Sequence, residues 1–347
     1  MSQMNAHTSA HEQQNKGLPS VLVTGGAGYI GSVAVEMLAD AGHKVIVLDN
    51  MVKGHHGAVD PRAIFVDGDV ADMPLVEQTL REHQVGAVMH FAAHSLVGES
   101  MENATKYFSN NVAASINLVE AMLTSGVKMM VFSSSAATFG MTEVSPITEE
   151  TPTLPINPYG ESKLAFERML HWCDVTQGLR FVSLRYFNAA GASKKYGEEH
   201  DPESHIIPLV LQVALGQRSH VQIYGDDYPT SDGTAVRDYI HVVDLAQAHL
   251  LALGWLAKGG ESQIFNLGNG AGFSVKEVVE VARKVTGHDI PAQIGPRRAG
   301  DPPVLVASSK QISEKLGWKP RYTSLEDIVG TAWEWHRSHP LGYSRDK

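Results

Sequence analysis

Cysteine is almost absent from this chain, which narrows the classes of protein to which it can belong. Cys173 is the only cysteine among 347 residues, so no intrachain disulfide can form and a reducing compartment, the cytoplasm, is expected. No apolar run reaches the roughly 18 residues that a membrane-spanning helix needs. Residues 1–18 lack the charged-then-apolar pattern of a signal peptide, and we expect them to form a flexible tail.

Basic residues are scarce relative to acidic ones. The sequence holds 28 Lys and Arg against 38 Asp and Glu, a formal net charge of −10, which argues against a nucleic-acid or anionic-membrane partner. An anionic small ligand must therefore be bound by local basic residues or by helix N-termini. Histidine is plentiful at 17 copies, but no pair has metal-site spacing supported by carboxylates or cysteine, so we expect no metal site.

The first half of the sequence alternates short apolar runs with amphipathic segments. This pattern is typical of βαβ units and predicts an α/β fold, a doubly wound parallel sheet of the Rossmann type. The predicted strands are 21–24, 44–48, 63–66, 87–90, 129–133 and 181–184, and the predicted helices are 29–41, 73–83, 105–125 and 158–177.

After about residue 189 glycine, proline and charged residues become denser. Apolar periodicity returns in four later segments, 205–216, 242–257, 274–287 and 324–337. We predict a Rossmann domain over 19–189, with a return segment near 235–266, and a smaller C-terminal α/β domain over 190–343. A cleft between the two is expected to hold the substrate.

A glycine-rich loop follows the first predicted strand and precedes an amphipathic helix. Glycines at such a turn let the backbone approach a pyrophosphate, which the helix N-terminus then binds. Gly28 and Gly31 fit the dinucleotide fingerprint with either Gly25 or Gly26 as the first glycine, so the spacing leaves the subfamily open. An ordinary strand–turn–helix is the alternative.

Asp49 follows the second predicted strand, about twenty residues after the glycine loop. A carboxylate there accepts hydrogen bonds from ribose hydroxyls and repels a 2′-phosphate, which favours NAD over NADP. Lys53 weakens that repulsion slightly. A solvated turn at Asp49-Asn50 is the alternative.

Tyr159 and Lys163 indicate the chemistry. Residues four apart share one face of a helix, so the ammonium can lie beside the phenol and lower its pKa toward working pH. Tyrosine then becomes a usable general base next to a nicotinamide. The serine run 133–135 ends a predicted strand, where a hydroxyl can share a proton with Tyr159, although any one serine could equally belong to a polar loop.

From about residue 19 to 343 the chain resembles the nucleotide-sugar 4-epimerases of the extended short-chain dehydrogenase/reductase family. The motifs that carry the resemblance are Thr24–Gly31, His90–Ala93, Val97–Ser100, Pro158–Lys163, Leu184–Asn188, Tyr228–Thr234, Val236–Val242 and Pro296–Asp301. The resemblance implies an isomerase of galactose metabolism that interconverts UDP-glucose and UDP-galactose. It implies a 4-keto intermediate, reversible hydride transfer to tightly bound NAD, and a homodimer.

The resemblance also implies roles for individual residues. Tyr159 is implied as the base, Lys163 as the residue that tunes it and holds the nicotinamide ribose, and Ser135 as a contact of the sugar 4-hydroxyl. Cofactor contacts are implied at Gly25, Gly28, Tyr29, Ile30, Gly31, Asp49, Asn50, Asp69, Val70, Phe91, Ala92, Ala93, Asn110, Ser133, Tyr159, Lys163 and Tyr186. Substrate contacts are implied at Ser135, Tyr159, Phe187, Asn188, His205, Gln222, Tyr224, Arg237, Arg298 and Asp301.

Three positions depart from the family pattern. His205 falls where some members carry an asparagine beside the phosphates, and Ser95 where some carry a lysine near the NAD diphosphate. Leu305 falls at the position that separates plain hexoses from N-acetylhexosamines. Its side chain is intermediate in size, which leaves the acceptance of N-acetylated sugars open.

Three other functions compete with this interpretation. A UDP-N-acetylglucosamine 4-epimerase, or an enzyme that accepts both sugar types, is the nearest. A 4,6-dehydratase is disfavoured because Ala136 and Ala137 stand where that chemistry places an acid/base pair. A non-catalytic NAD-sensing module would not need Tyr159, Lys163 and a serine together. Pairing of the helices near 105–125 and 158–177 between two copies is a further possibility, with burial against the sheet as the alternative.

Overall fold

The computed structural model describes residues 18–298 and 301–343, so the predicted tail lies outside the described residues except for Leu18. In chain order the elements are β1 Ser20–Thr24, α1 Tyr29–Asp40, β2 Val45–Asp49, β3 Ile64–Asp67, α2 Met73–Glu82, β4 Val85–His90, α3 Val97–Glu102, α4 Ala104–Phe108, α5 Ser115–Thr124, β5 Met129–Ser133, α6 Pro158–Gln177, β6 Arg180–Tyr186, β7 Asn188–Ala190, α7 Ile206–Ala214, β8 Val221–Tyr224, β9 Val236–Arg237, β10 Tyr239–His241, α8 Val242–Ala257, β11 Gln263–Leu267, β12 Phe273–Ser274, α9 Val275–Thr286, β13 Ala292–Gly295, β14 Val304–Leu305, α10 Lys310–Leu316 and α11 Leu325–Ser338.

Seven parallel strands form the central sheet in the order β11-β6-β5-β4-β1-β2-β3, which confirms the predicted doubly wound α/β fold. Strand order reverses between β1 and β4, and ligands of such sheets bind at the carboxyl ends of the strands beside that reversal. β2 is buried along its whole length, and β1 is buried after its first residue. Strands that are covered on both faces consist of consecutive apolar residues, and this is why the sequence pattern predicted them.

Helices cover both faces of the sheet and create two apolar cores. The core on one face contains Val35 of α1, Leu245 of α8 and Ile312 of α10. On the opposite face, the core includes Val76 of α2 and Phe166 of α6, together with residues of α5. Burial on both faces fixes the strands rigidly, so the loops at their carboxyl ends start from fixed positions.

A separate apolar core forms among the C-terminal elements. Val210 of α7, Val278 of α9 and Ile328 of α11 are fully buried there. Short strands beside these helices form small sheets, β13 with β8, and β12 with β9 and β14. The division of the chain into domains over 19–189, 235–266 and 190–343 stays a prediction.

The predicted helix over 105–125 differs from the structure in one respect. Its middle, Ser109–Ala114, is a π-helical turn that joins α4 to α5. Such turns insert a residue into a helix and are frequent at functional sites. The sequence pattern also left out α3, α10 and the eight strands from β7 to β14, whose runs are short or interrupted by polar residues.

No described helix is both long and apolar enough to cross a membrane.

Candidate active site

The position of Tyr159 is fixed by the start of α6. The side chain of Asn157 caps this helix by accepting a hydrogen bond from the backbone N–H of Gly160 at 2.8 Å, and Pro158 occupies the first turn. A Cβ on Gly160 would collide with the carbonyl oxygen of Ala137. The first turn of α6 is therefore pressed against the loop that follows β5, and Tyr159 is brought to the carboxyl end of that strand.

Tyr159 is buried, with 8 % of its surface exposed. Burial raises the pKa of its phenol, and a hydrogen bond with the hydroxyl of Ser135 partly opposes that increase. The ring of Tyr107 lies edge-on to Tyr159, with 6.4 Å between ring centroids. The structure therefore places Tyr159 beside Ser135.

Lys163 lies one turn further along α6 and is also buried. Its ammonium donates a hydrogen bond to the backbone carbonyl of Ser133 at 2.9 Å and lies 6.0 Å from the centroid of the Tyr159 ring. Burial lowers the pKa of Lys163 to about 7, while the nearby carboxylate of Glu167 raises it. The ammonium lies on the same helix face as Tyr159, but its hydrogen bond goes to the backbone of β5. A lowering of the Tyr159 pKa by Lys163 therefore stays a prediction.

A buried ion pair supports this part of the site, and the sequence analysis did not identify it. Arg185 donates to both carboxylate oxygens of Glu167, at 3.0 Å and 2.5 Å, and thereby joins α6 to β6. The next residue, Tyr186, shares a hydrogen bond of 2.7 Å with the hydroxyl of Ser133. No local spacing could have revealed the pair, because Glu167 and Arg185 lie 18 residues apart on different elements.

The glycine loop has no room for side chains at two of its glycines. Gly25 has a φ of +73°, and a Cβ there would lie 2.6 Å from the backbone nitrogen of Ala92. A Cβ on Gly31 would collide with the carbonyl oxygen of Gly25. Gly28 is the N-cap of α1, and within the described residues no side chain caps this terminus. Backbone N–H groups at the start of α1 can therefore bind an anion.

Asp49 lies at the end of β2, next to the glycine loop. Its carboxylate accepts hydrogen bonds from the backbone N–H groups of Ala27 and Met51, each at 3.0 Å. Burial raises its pKa, and these two bonds oppose that increase. The amide of Asn50 donates to Asp69 at 2.7 Å, so three residues predicted to contact a cofactor lie at one edge of the sheet.

Two other predicted cofactor residues use their side chains for structural contacts. The hydroxyl of Tyr29 donates to the carbonyl oxygen of Gly191 at 2.6 Å, so its backbone is the part available at the start of α1. Asn110, in the π-helical turn, donates to the side chain of Asn111, which in turn donates to the hydroxyl of Ser162. This chain of amides connects the π-helical turn to α6. Ser95, the departure near the predicted diphosphate, is exposed.

The predicted substrate residues come from segments that are distant in sequence. Arg237 and Asp301 form an ion pair of 2.5 Å. The guanidinium of Arg298 lies 4.1 Å from the centroid of the Tyr224 ring, a cation–π contact. Gln222 precedes Tyr224 on β8 by two residues, so both side chains lie on the same face of that strand.

Phe187 belongs to a small buried cluster beside the serine loop. It packs with Phe139, Ile147 and Ala307, and Leu305 is partly buried against the same cluster. Asn188 begins β7 directly after Phe187, and its backbone N–H donates to the carbonyl of Asp238. The residue at the sugar-size position therefore lies near two predicted substrate residues.

His205 is the N-cap of α7, and its ring faces carboxylates. Its Nδ1 lies 2.7 Å from Glu198 and 3.3 Å from Glu203. His200 joins the same group, with its Nδ1 3.1 Å from Glu198. The sequence analysis found no metal-site spacing here and missed this four-residue cluster. The available signal was that Glu198 and Glu203 stand beside the two histidines within eight consecutive residues.

Known proteins similar to this chain belong to a family of NAD-dependent enzymes, as the geometry of the site suggests. Residues 21–268 match the NAD dependent epimerase/dehydratase family. A UDP-glucose 4-epimerase of Halalkalibacterium halodurans is 56% identical over 329 residues, which are 94% of this chain and 98% of that protein.

Two solved structures extend the comparison. A crystal structure of a UDP-glucose 4-epimerase superposes with a TM-score of 0.92 at 53% identity, over 94% of this chain and all (100%) of that chain. The Bifidobacterium longum UDP-glucose 4-epimerase, solved in complex with NAD+ and UDP, superposes with a TM-score of 0.88 at 39% identity, over 93% of this chain and 100% of that chain. The chain described here therefore belongs to the NAD dependent epimerase/dehydratase family.

Proposed function

We propose that this chain is an isomerase that interconverts UDP-glucose and UDP-galactose by inverting carbon 4 of the hexose. One observation carries the proposal: Tyr159 is buried against Ser135 at the carboxyl end of β5, one helical turn from Lys163. This set lies on a sheet whose glycine loop has no room for side chains at Gly25 and Gly31. The relatives that match nearly the whole chain are named UDP-glucose 4-epimerases.

The residues at the carboxyl end of the sheet fit NAD as the resident cofactor. The start of α1 offers backbone N–H groups to a pyrophosphate, and Asp49 offers a buried carboxylate to ribose hydroxyls. Lys163 and Tyr186 lie beside Ser133, where the nicotinamide half would be held. When bound, NAD supplies the acceptor and donor of hydride for carbon 4 of the sugar.

We assign the proton transfer to Tyr159. Its phenolate takes the proton of the sugar 4-hydroxyl as the carbonyl of the 4-keto intermediate forms, and it returns that proton when carbon 4 is reduced. We assign to Ser135, whose hydroxyl lies beside the phenol, the role of holding the same sugar hydroxyl. Lys163 brings a positive charge to the same helix face, which favours the phenolate form of Tyr159.

The substrate side anchors the nucleotide more firmly than the sugar. Arg237 and Arg298 provide two guanidinium groups for the diphosphate, and Asp301 provides a carboxylate for the uridine ribose. The sugar contacts the smaller group of Tyr159, Ser135 and Phe187. A sugar held loosely at this end can turn about its bonds to the diphosphate and present its other face.

Direct conversion tests the proposal. The purified protein, with its NAD content measured, is mixed with UDP-galactose and the appearance of UDP-glucose is followed by chromatography. We expect conversion to equilibrium without added cofactor. Stoichiometric NAD with no conversion would instead support a non-catalytic NAD-sensing module.

The range of accepted sugars depends on Leu305 in this proposal. Its side chain packs against the cluster that contains Phe187, where an N-acetyl group would need space. Leu305→Tyr is expected to leave turnover of UDP-galactose within a few-fold and to lower turnover of UDP-N-acetylgalactosamine further. Leu305→Ala is expected to shift the ratio in the opposite direction. An unchanged ratio in both variants would remove Leu305 from the selection of substrate.

We also propose a homodimer, in the cytoplasm. The helices near 105–125 and 158–177 carry apolar side chains that are exposed in the single chain. These exposed residues, together with one from α3, are Met101, Phe108, Ile116, Trp172 and Val175. Light scattering after gel filtration should give twice the mass of the chain, and Trp172→Glu should shift the mass toward that of one chain. A monomeric unmodified protein would contradict the pairing.

A further inference from the structure

Two glutamates and two histidines converge in the loop before α7. We call Glu198, His200, Glu203 and His205 the Glu–His cluster. One ligand atom from each residue lies within 4.8 Å of the others. The sequence Glu-x-His-x-x-Glu-x-His places all four in eight consecutive residues, so the loop itself brings the groups together.

The distances within the Glu–His cluster match those between ligands of one small cation. The Nδ1 of His200 lies 3.1 Å from Glu198 and 3.8 Å from Glu203, while the Nδ1 of His205 lies 2.7 Å and 3.3 Å from the same two carboxylates. Tetrahedral Zn²⁺ with bonds near 2.0–2.1 Å separates neighbouring ligand atoms by about 3.3 Å. The observed separations are distributed around that value.

Hydrogen bonds between the members do not explain these short distances. The Oε1 of Glu198 and the Nδ1 of His200 are both buried, and neither has a hydrogen-bond partner among the described residues. Glu198 is only 4% exposed, so its carboxylate needs compensation from within the protein. An N–H donor must aim at its acceptor, and here the atoms are close without that alignment. Atoms that converge on a common point instead suit a shared cation.

We propose that the Glu–His cluster binds one Zn²⁺ ion. Two imidazole nitrogens and two carboxylate oxygens are a donor set that zinc accepts with four-coordinate geometry. The two carboxylates also neutralise the charge of the ion. Two protonated histidines would also balance the negative charge of the two carboxylates. They would then have to direct their N–H groups at the carboxylate oxygens, but the buried Oε1 of Glu198 and Nδ1 of His200 form no such hydrogen bond among the described residues.

The ion would connect the cofactor helix to the C-terminal part of the chain. The ring of His200 meets the ring of Tyr29, the first residue of α1, edge-on at 6.2 Å between centroids. His205 is the N-cap of α7. Glu199, between two ligands, accepts a hydrogen bond from the backbone N–H of Tyr343 at 2.6 Å. The zinc site is therefore structural, and it holds the loop against the start of α1.

Metal analysis of the full chain tests this proposal. Protein made without a histidine tag is dialysed against metal-free buffer, and its zinc is counted by inductively coupled plasma mass spectrometry. We expect about one Zn²⁺ per chain, lost on treatment with a strong chelator and restored by added Zn²⁺, with a higher melting temperature in the loaded form. Zinc-edge X-ray absorption should show nitrogen and oxygen neighbours, including imidazole, and no sulfur.

Matched variants locate the ion. His205→Gln changes a half-exposed side chain, which makes misfolding a small risk, and it should lower retained zinc at least tenfold. His288→Gln changes an exposed histidine of the loop after α9 and should retain one zinc per chain. The unmodified chain failing to hold zinc after reloading would overturn the proposal. Full zinc retention by the double variant Glu203→Gln/His205→Gln would overturn it equally.

Discussion

The cofactor side and the substrate side of the proposed site are built from different kinds of contact. On the cofactor side, backbone atoms form the surface. Gly25 and Gly31 allow backbone segments to pack directly against each other, and α1 presents its N–H groups. On the substrate side, side chains from distant segments meet in pairs, as in Arg237 with Asp301. The first surface is made by a continuous stretch of chain, whereas the second exists only after the whole chain has folded.

Substitutions on the two sides should therefore have different consequences. A side chain added to the glycine loop displaces backbone, so cofactor binding and stability should fall together. Removing one charge from the substrate side leaves the backbone in place, so binding of the nucleotide sugar should fall while the fold persists. Two variants test this distinction and a third tests the buried lysine between the two sides, in order of decreasing effect.

Gly31→Ala should have the largest effect. The added Cβ collides with the carbonyl oxygen of Gly25, a backbone atom that cannot move without opening the loop. We expect NAD content below about a tenth of that of the unmodified protein and a lower melting temperature. Absorbance and chromatography of released nucleotide measure the first, and differential scanning fluorimetry measures the second.

Gly330→Ala is the matched control for that substitution. Gly330 lies inside α11, and among the described residues no atom outside the neighbouring backbone of that helix lies within 4 Å of the position of its Cβ. Alanine in a helix interior is favoured over glycine by about 0.5–1 kcal/mol, so stability should hold or rise and NAD content should not change. Equal NAD loss in both variants would contradict the backbone account of the loop.

Arg237→Gln should have an intermediate effect, confined to the nucleotide sugar. A charge-assisted hydrogen bond contributes about 1.5–3 kcal/mol, so KM for UDP-galactose should rise roughly ten- to a hundred-fold. NAD content should stay the same. Arg283→Gln, which breaks an exposed ion pair with Glu280 on α9, is the control and should leave KM unchanged. A normal KM in Arg237→Gln would show that the diphosphate is bound elsewhere.

Lys163→Met should have the smallest effect of the three variants, a change in how the stability of the NAD-free protein depends on pH. Burial lowers the pKa of Lys163 from its ordinary 10.5 to about 7, so between these values the unfolded chain binds more protons than the folded one. The free energy of unfolding must then rise with pH from about 7 toward 10, by up to about 1.4 kcal/mol per pH unit.

The methionine variant should lose that rise. Urea unfolding at pH 7 and pH 9 measures it, with Lys258→Met, at an exposed lysine after α8, as the control. The same rise in Lys163→Met as in the unmodified protein would show that another group titrates, and that Lys163 keeps an ordinary pKa.

The sequence was sufficient to predict the features that depend on residues close together in the chain. The parallel sheet follows from buried strands such as β2, whose apolar residues are consecutive. The start of α6 follows from Asn157 and Pro158, which cap and begin a helix, and it fixes Tyr159 in the first turn. These features need only neighbouring residues.

Contacts between distant segments could not be predicted in the same way. The buried pair Glu167 with Arg185 spans two elements, and the direction of the Lys163 ammonium toward Ser133 depends on how α6 packs on β5. The π-helical turn Ser109–Ala114 replaces part of a helix that periodicity presents as regular. Each depends on packing, which side-chain periodicity does not encode.

The decisive measurement is the turnover of Tyr159→Phe. We expect UDP binding, measured by calorimetry, to be nearly unchanged while conversion of UDP-galactose falls by about two orders of magnitude or more, because a general base is lost. Tyr322→Phe, at a partly buried tyrosine of the C-terminal part, should stay within about twofold. Near-normal turnover by Tyr159→Phe would contradict the claim that this phenol transfers the proton.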